Sequence, residues 1–246
     1  IVFGDWSSDV CSSDLKTISV HLTPPDYTGW TPYDANKQIR ALAGTRAEFR
    51  GAATKPLASA ELLLDDARAI AGALVGPAEF QAPRADAAPF LLERSGAYSL
   101  ALVDRQGISN LESERGEIRI IPDAPPSASL EQPADSLFVT PRGTVPLRVT
   151  AKDDLAVAAI DLVFQPADQD GEKPQRVTIY RGPPRPPPQA AFSPAPAMPP
   201  VEYRWDLASL GLARGAIVVL HVEARDYAGA VGRSASRRLV VVGAEE

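Results

Sequence analysis

A thiol nucleophile, a disulfide framework and a cysteine zinc site all draw on cysteine, and this chain has a single one, Cys11, in 246 residues. Histidine is nearly as scarce. His21 and His221 are the only two, with no His-x-His or His-x-x-x-His spacing, so a Ser-His-Asp relay and a histidine metal site lack their parts. No run of Lys or Arg is present to track a phosphate backbone, and the formal charge of −6 is acidic, which argues against nucleic acid as a partner. No stretch reaches the roughly eighteen consecutive apolar residues of a membrane helix, and no charged segment followed by an apolar core opens the chain. What the chain does have is 24 prolines and 17 glycines, the punctuation of many turns between short strands. Hydrophobic residues at 45% and charged residues at 23% lie near globular values, so the chain should fold.

The length suits two domains of roughly a hundred residues, each able to bury its own core, and an internal repeat locates them. Ile18, Val20 and Leu22 alternate with polar residues and stop at Thr23-Pro24-Pro25, as a first strand entering a loop should. Gly44-Thr45 precedes a strand around Phe49, and Gly143-Thr144 precedes Val145, Leu147 and Val149. A Leu-Ala step follows in each half, Leu57-Ala58 and Leu155-Ala156. An alternating strand comes next, with Leu62 and Leu64 in the first copy and Ile160, Leu162 and Phe164 in the second. Late strands then run into Asp104-Arg105-Gln106-Gly107 and Asp226-Tyr227-Ala228-Gly229. The alanine-rich stretch 65–75 reads as an Asp65-Asp66-Ala67-Arg68 hairpin turn and a further strand, in preference to a short helix. These patterns predict an all-β chain of two tandem immunoglobulin-like β-sandwich domains, 16–122 and 127–243, joined by a linker at 123–126. The second is interrupted by RGPPRPPPQAAFSPAPAMPP, with nine prolines in the twenty residues 181–200, which must form an extended surface loop.

Two resemblances bear on origin. Residues 5–15, DWSSDVCSSDL, resemble the conceptual translation of a sequencing-adapter oligonucleotide and have neither strand nor helix periodicity. Read as foreign, residues 1–15 leave a cysteine-free chain that has lost three of 31 acids, with a net charge of −3 in place of −6. The native protein is then expected to extend beyond both ends. Thr23-Pro24-Pro25-Asp26-Tyr27-Thr28-Gly29-Trp30 resembles the P-P-x-Y-T-G loop of large bacterial envelope proteins with tandem Ig-like domains. Asp153-Asp154-Leu155 and the Asp-x-x-Gly turns are similar to that family too, although Leu155 and Ala156 stand where it often has an aromatic residue and a glycine. The resemblance implies membrane helices before these domains, a long helical region after them, and exposure outside the cytoplasm. It implies no catalytic residues.

Candidate sites are few. Tyr27, Trp30 and Tyr33 fall within seven residues of a proline-bounded loop, where exposed aromatics can stack on a sugar or anchor a protein. Covering the open end of the first sandwich is their simpler role. Asp153, Asp154 and Asp226 offer oxygens suited to calcium, but no D-x-D-x-D-G loop is present, and an aspartate capping its own turn accounts for each. The proline loop fits either an aromatic groove on a partner or a solvated spacer. No catalytic residue and no cofactor is expected. The leading expectation is a non-enzymatic, extracytoplasmic scaffold or spacer segment of a larger membrane-anchored bacterial protein. A module binding envelope glycan or protein is the second, and the accessory domains of an enzyme whose catalytic part lies elsewhere is the third.

Overall fold

The computed structural model describes residues 15–110, 115–167, 173–195 and 197–243; of the adapter-like segment, all but Leu15 lies outside this range. The chain divides into two compact units, one made of Ile1–Pro25 and Thr31–Pro122, the other of Asp26–Trp30 and Asp123–Glu246. The pentapeptide Asp26–Trp30 therefore belongs to the second unit despite its place in the first half of the sequence, and residues 123–126 belong there as well.

In the first unit, alternating apolar and polar residues give β1 (Leu15–Thr23), β2 (Tyr33–Ala35), β3 (Gln38–Leu42), β4 (Thr45–Ala53) and β5 (Leu57–Leu64). There follow β6 (Ala69–Ala71), β7 (Ala73–Leu74), β8 (Glu79–Ala82), β9 (Phe90–Leu92), β10 (Gly96–Asp104) and β11 (Gly116–Ile121). One sheet runs β2-β1-β4-β8-β7, with β9 also on β4; the other runs β3-β11-β10-β5-β6. The β3 and β11 strands lie parallel, an exception among antiparallel neighbours. Asp65–Arg68 closes the β5–β6 hairpin, with the Leu64 N–H donating to the Arg68 carbonyl at 2.9 Å. Inward side chains of both sheets, including Val20, Phe49, Leu62, Phe80, Tyr98 and Leu102, form one core. Phe49 meets Tyr98 edge-on at 4.9 Å between centroids, and each such buried side chain contributes roughly 1.5–3 kcal/mol.

The second unit contains β12 (Ser127–Gln132), β13 (Leu137–Val139), β14 (Thr144–Lys152), β15 (Val157–Pro166) and β16 (Gln175–Arg181). After the proline-rich stretch come β17 (Val201–Asp206), β18 (Ile217–Asp226), β19 (Val231–Arg233) and β20 (Arg237–Val241). Its sheets are β12-β14-β17 and β13-β20-β18-β15-β16, with β19 on β18. Again one pair, β13 and β20, is parallel. The core gathers Leu147, Val149, Ile160, Leu162, Val218 and Leu220 around Trp205, which packs on Phe164 at 4.6 Å.

The two units thus repeat one strand order. Strands β1, β3, β4, β5, β6, β8, β10 and β11 of the first take the places of β12, β13, β14, β15, β16, β17, β18 and β20 in the second. The sequence repeat needs one correction. Asp104 pairs with Leu57 and Asp226 with Val157, each beside a register slip, so Leu57 corresponds to Val157. Leu155-Ala156 lies in the loop before β15, which is one residue longer than its counterpart before β5. In each sandwich the chain enters at the pole where β4 or β14 ends and leaves at the opposite pole. Among the described residues, no helix is long and apolar enough to cross a membrane.

Candidate functional site

The three loop aromatics are divided between the units. Tyr33 sits on β2 in the first, its hydroxyl donating to the Arg40 carbonyl at 2.7 Å, and burial pushes its pKa up to about 12. Tyr27 and Trp30 belong to the second. There Asp26–Thr28 makes a 3-10 turn, the Trp30 N–H donates to Thr28 Oγ1 at 3.0 Å, and Gly29 adopts a positive φ of 67°. The proline-rich stretch seats this pentapeptide. The Gln189 N–H donates to the Gly29 carbonyl at 2.8 Å, and Trp30 meets Phe192 edge-on at 4.7 Å. A Cβ at position 29 would lie 2.6 Å from the Pro187 carbonyl oxygen, so only glycine fits the approach. The proline stretch runs between β16 and β17, and through Gln189 and Phe192 it is engaged with this chain's own aromatic turn.

The histidines are held by neighbouring acids. His21 Nδ1 lies 2.8 Å from Asp34 on the paired strand. His221 stands on the outward face of β18, 3.4 Å from Glu223. Glu223 is 4% exposed yet charged groups surround it: Arg176 bonds one oxygen, and Arg233 approaches the other at 2.8 Å. Burial pushes its pKa up, but Arg176, His221 and Arg233 outweigh that and hold it below the usual glutamate range. This is a satisfied ion network on a sheet face.

The acids at the entry pole of the second sandwich are arranged differently. Ser127 pairs with Lys152 and Val157 with Asp226, so the chain before β12, the β14–β15 loop and the end of β18 meet at this pole. They bring together Asp123, Asp153, Asp154 and Asp226. Asp153 Oδ2 accepts from the N–H groups of Leu155 at 3.0 Å and Ala156 at 2.7 Å, and Asp226 Oδ1 accepts from that of Ala230 at 2.8 Å. Each therefore caps its own turn with one oxygen. The other oxygens, Asp153 Oδ1 and Asp226 Oδ2, are buried without a hydrogen-bond partner, and so is Asp123 Oδ1. Burial, and then the charges of Asp154, Asp226 and Asp153, push Asp123 up to about 6. Burial likewise raises Asp153 against the pull of its two backbone donors, with Asp154 and Asp226 adding to the rise. Burial and the charges of Asp123, Asp226 and Asp154 raise the Tyr27 phenol, which places it at the same pole. Among the described residues, no group of three or more His, Cys, Asp or Glu side chains is placed to hold a metal ion. Sequence reasoning singled out Asp153, Asp154 and Asp226 but missed Asp123, because 123–126 reads as linker. Its signal was available: an acid entering the second repeat just before its first strand must arrive beside the turns at that strand's starting end.

The strand orders define the class of protein, a tandem of two Ig-like β-sandwiches. No protein-family model matches the sequence, and no curated protein sequence does. Among solved structures, the chain is similar to the fibronectin(III)-like modules of Clostridium thermocellum CbhA, at 16% identity over 91% of this chain and 94% of that one, with a TM-score of 0.34. A bacterial ice-binding adhesin is matched at 11% identity over 95% of this chain and 67% of that one, TM-score 0.44. The Dpr11 IG1 and DIP-gamma immunoglobulin-domain complex is matched at 11% identity over 83% and 94%, TM-score 0.28.

Proposed function

We propose that the two sandwiches are a non-enzymatic, extracytoplasmic scaffold or spacer segment of a larger, membrane-anchored bacterial protein. The observation that carries this reading is the recurrence of one eight-strand order in two units, each entered at one pole and left at the other. Modules of that kind extend a chain in series. The likeness of Thr23–Trp30 to the P-P-x-Y-T-G loop of anchored envelope proteins supports the location. The aromatic turn is employed inside the second unit, on Phe192 and Gln189, which favours the spacer over a glycan platform. The test is expression of the full gene in a bacterial host with an epitope tag beside Val242, followed by fractionation and protease treatment of spheroplasts. The tag should sediment with membranes and be cleaved from outside. A tag that stays in the soluble cytosol, protected from protease, would sink the proposal.

A further inference from the structure

We infer that β13 is an association edge, through which two copies of this chain join their second sandwiches as an antiparallel strand pair centred on Phe138. Strand β13 ends its sheet, with β20 on one side and no described strand on the other. The Val139 carbonyl accepts from the Val242 N–H at 2.8 Å, on the β20 side. Main-chain groups alternate in direction along a strand, so the N–H and carbonyl of Phe138 face the open side. Phe138 is 71% exposed, and Val240 and Ile217 stand beside it in register on β20 and β18. Ile217 is itself 39% exposed. The three side chains make an apolar stripe on the outward face that runs up to an unpaired strand edge.

The first sandwich supplies an internal control. With Asp104 matched to Asp226, Gly96 on β10 matches Val218 on β18, and their partners Ile118 and Leu239 match in turn. Ile39 pairs with Ile118 and Leu137 with Leu239, so Arg40 takes the place of Phe138. Where the second sandwich has Phe138, Val240 and Ile217, the first therefore has Arg40, Arg119 and Ser95. The open-side carbonyl of Arg40 is also covered, accepting from the Tyr33 hydroxyl at 2.7 Å. Tyr33 lies on β2, a strand with no counterpart in the second unit. Charged side chains and covered main-chain groups are two ways in which a sheet edge is kept from pairing. The first sandwich uses both. Ser136 to Thr140, which contains β13, carries no charge, so two copies of it meet without like-charge repulsion.

The geometry of this edge suits its own copy. In an antiparallel pair, alternate facing residues exchange both of their N–H···O bonds. A two-fold axis at Phe138 makes it such a residue, with its N–H donating to the same carbonyl across the axis and the reverse. Leu137 then faces Val139, and the two Phe138 rings lie side by side, where cross-strand aromatic pairs are favourable. The two apolar stripes join over one continuous sheet face. The contact is isologous and closes at two, because each copy has then used its edge. A strand of three residues buries an area at the small end of specific interfaces, so the dimer is weak. It stands or falls independently of the spacer reading.

The experiment is sedimentation equilibrium of the full chain over a range of concentrations, paired with oxidative cross-linking of single-cysteine variants in a Cys11→Ser background. A reversible monomer–dimer equilibrium is expected. Phe138→Arg gives the second sandwich the residue that the first carries at this place, and weakens the dimer about tenfold or more. The position is exposed, so the variant should fold, as circular dichroism checks. Facing residues of a hydrogen-bonded antiparallel pair lie about 5.5 Å apart at Cα, within the reach of a disulfide. Phe138→Cys should therefore give a covalent dimer, and Ile217→Cys, two strands from the seam, should not. A chain that stays monomeric at every concentration overturns the proposal, and so does association that continues past two. A dimer as strong in Phe138→Arg, or one that cross-links through Ile217→Cys and not Phe138→Cys, overturns it equally.

Discussion

The two sandwiches solve the same problem in opposite ways. Each buries an aspartate at the end of a late strand, Asp104 on β10 and Asp226 on β18, because a carboxylate at that position gathers the N–H groups of the turn that follows. Each leaves the second oxygen without a donor. The first balances it with Lys55, the second surrounds it with three more acids. A shared strand order therefore fixes where the charge is buried and leaves open how it is balanced, and that second choice is where two copies of one fold part in chemistry.

The comparison breaks most sharply at Lys55. Lys55→Met leaves the Asp104 carboxylate, 1% exposed, without its cation. Urea unfolding should show the first unit destabilised by about 2 kcal/mol, below the usual cost of breaking a buried pair because the lysine side chain is itself partly exposed. Adding Asp104→Asn should restore most of the loss; no recovery in the double variant would mean that Lys55 acts by packing alone. A smaller effect is expected of Trp30→Ala. Loss of the contact with Phe192 should cost the second unit about 1 kcal/mol, less than a fully buried tryptophan would. An unchanged unfolding curve would show that the aromatic turn contributes nothing to that unit.

The finest test uses pH. Asp123 is raised from 3.8 in the unfolded chain to about 6 in the folded one. Between those values the folded state holds a proton that the unfolded state has released, so this group lowers stability as pH rises through the window. Asp123→Asn should raise the unfolding midpoint at pH 7 by an amount worth less than about 1 kcal/mol, given the group's partial exposure. That gain should shrink toward pH 4. A gain independent of pH would place its cause outside the carboxylate's titration.

Local signals carried much of the fold. Gly44-Thr45 and Gly143-Thr144 mark the starts of β4 and β14, Asp65–Arg68 turns where its residues predict, and Asp104 and Asp226 close equivalent turns. Each depends on neighbours a few residues away. The Leu-Ala pairing failed by two positions because register follows the cross-strand partners Asp104 and Asp226, far along the chain, and a loop one residue longer hides the offset. Asp26–Trp30 was assigned to the first sandwich by sequence adjacency, but its hydrogen bonds run to Gln189, 160 or so residues away, which no periodicity reports. Asp123 was lost for the opposite reason: proline-rich linker composition masked one acid whose acidic neighbours Asp153, Asp154 and Asp226 all lie beyond β12.

The parallel pairs have a mechanical meaning. Since the chain enters each sandwich at one pole and leaves at the other, tension on its ends acts along the strands and shears β3 against β11, or β13 against β20, so that the rungs of a ladder bear load together and do not unzip one by one. Five residue pairs join β3 to β11 and three join β13 to β20. Stretched as a single molecule, the chain should yield its second sandwich, with the shorter ladder, at the lower force.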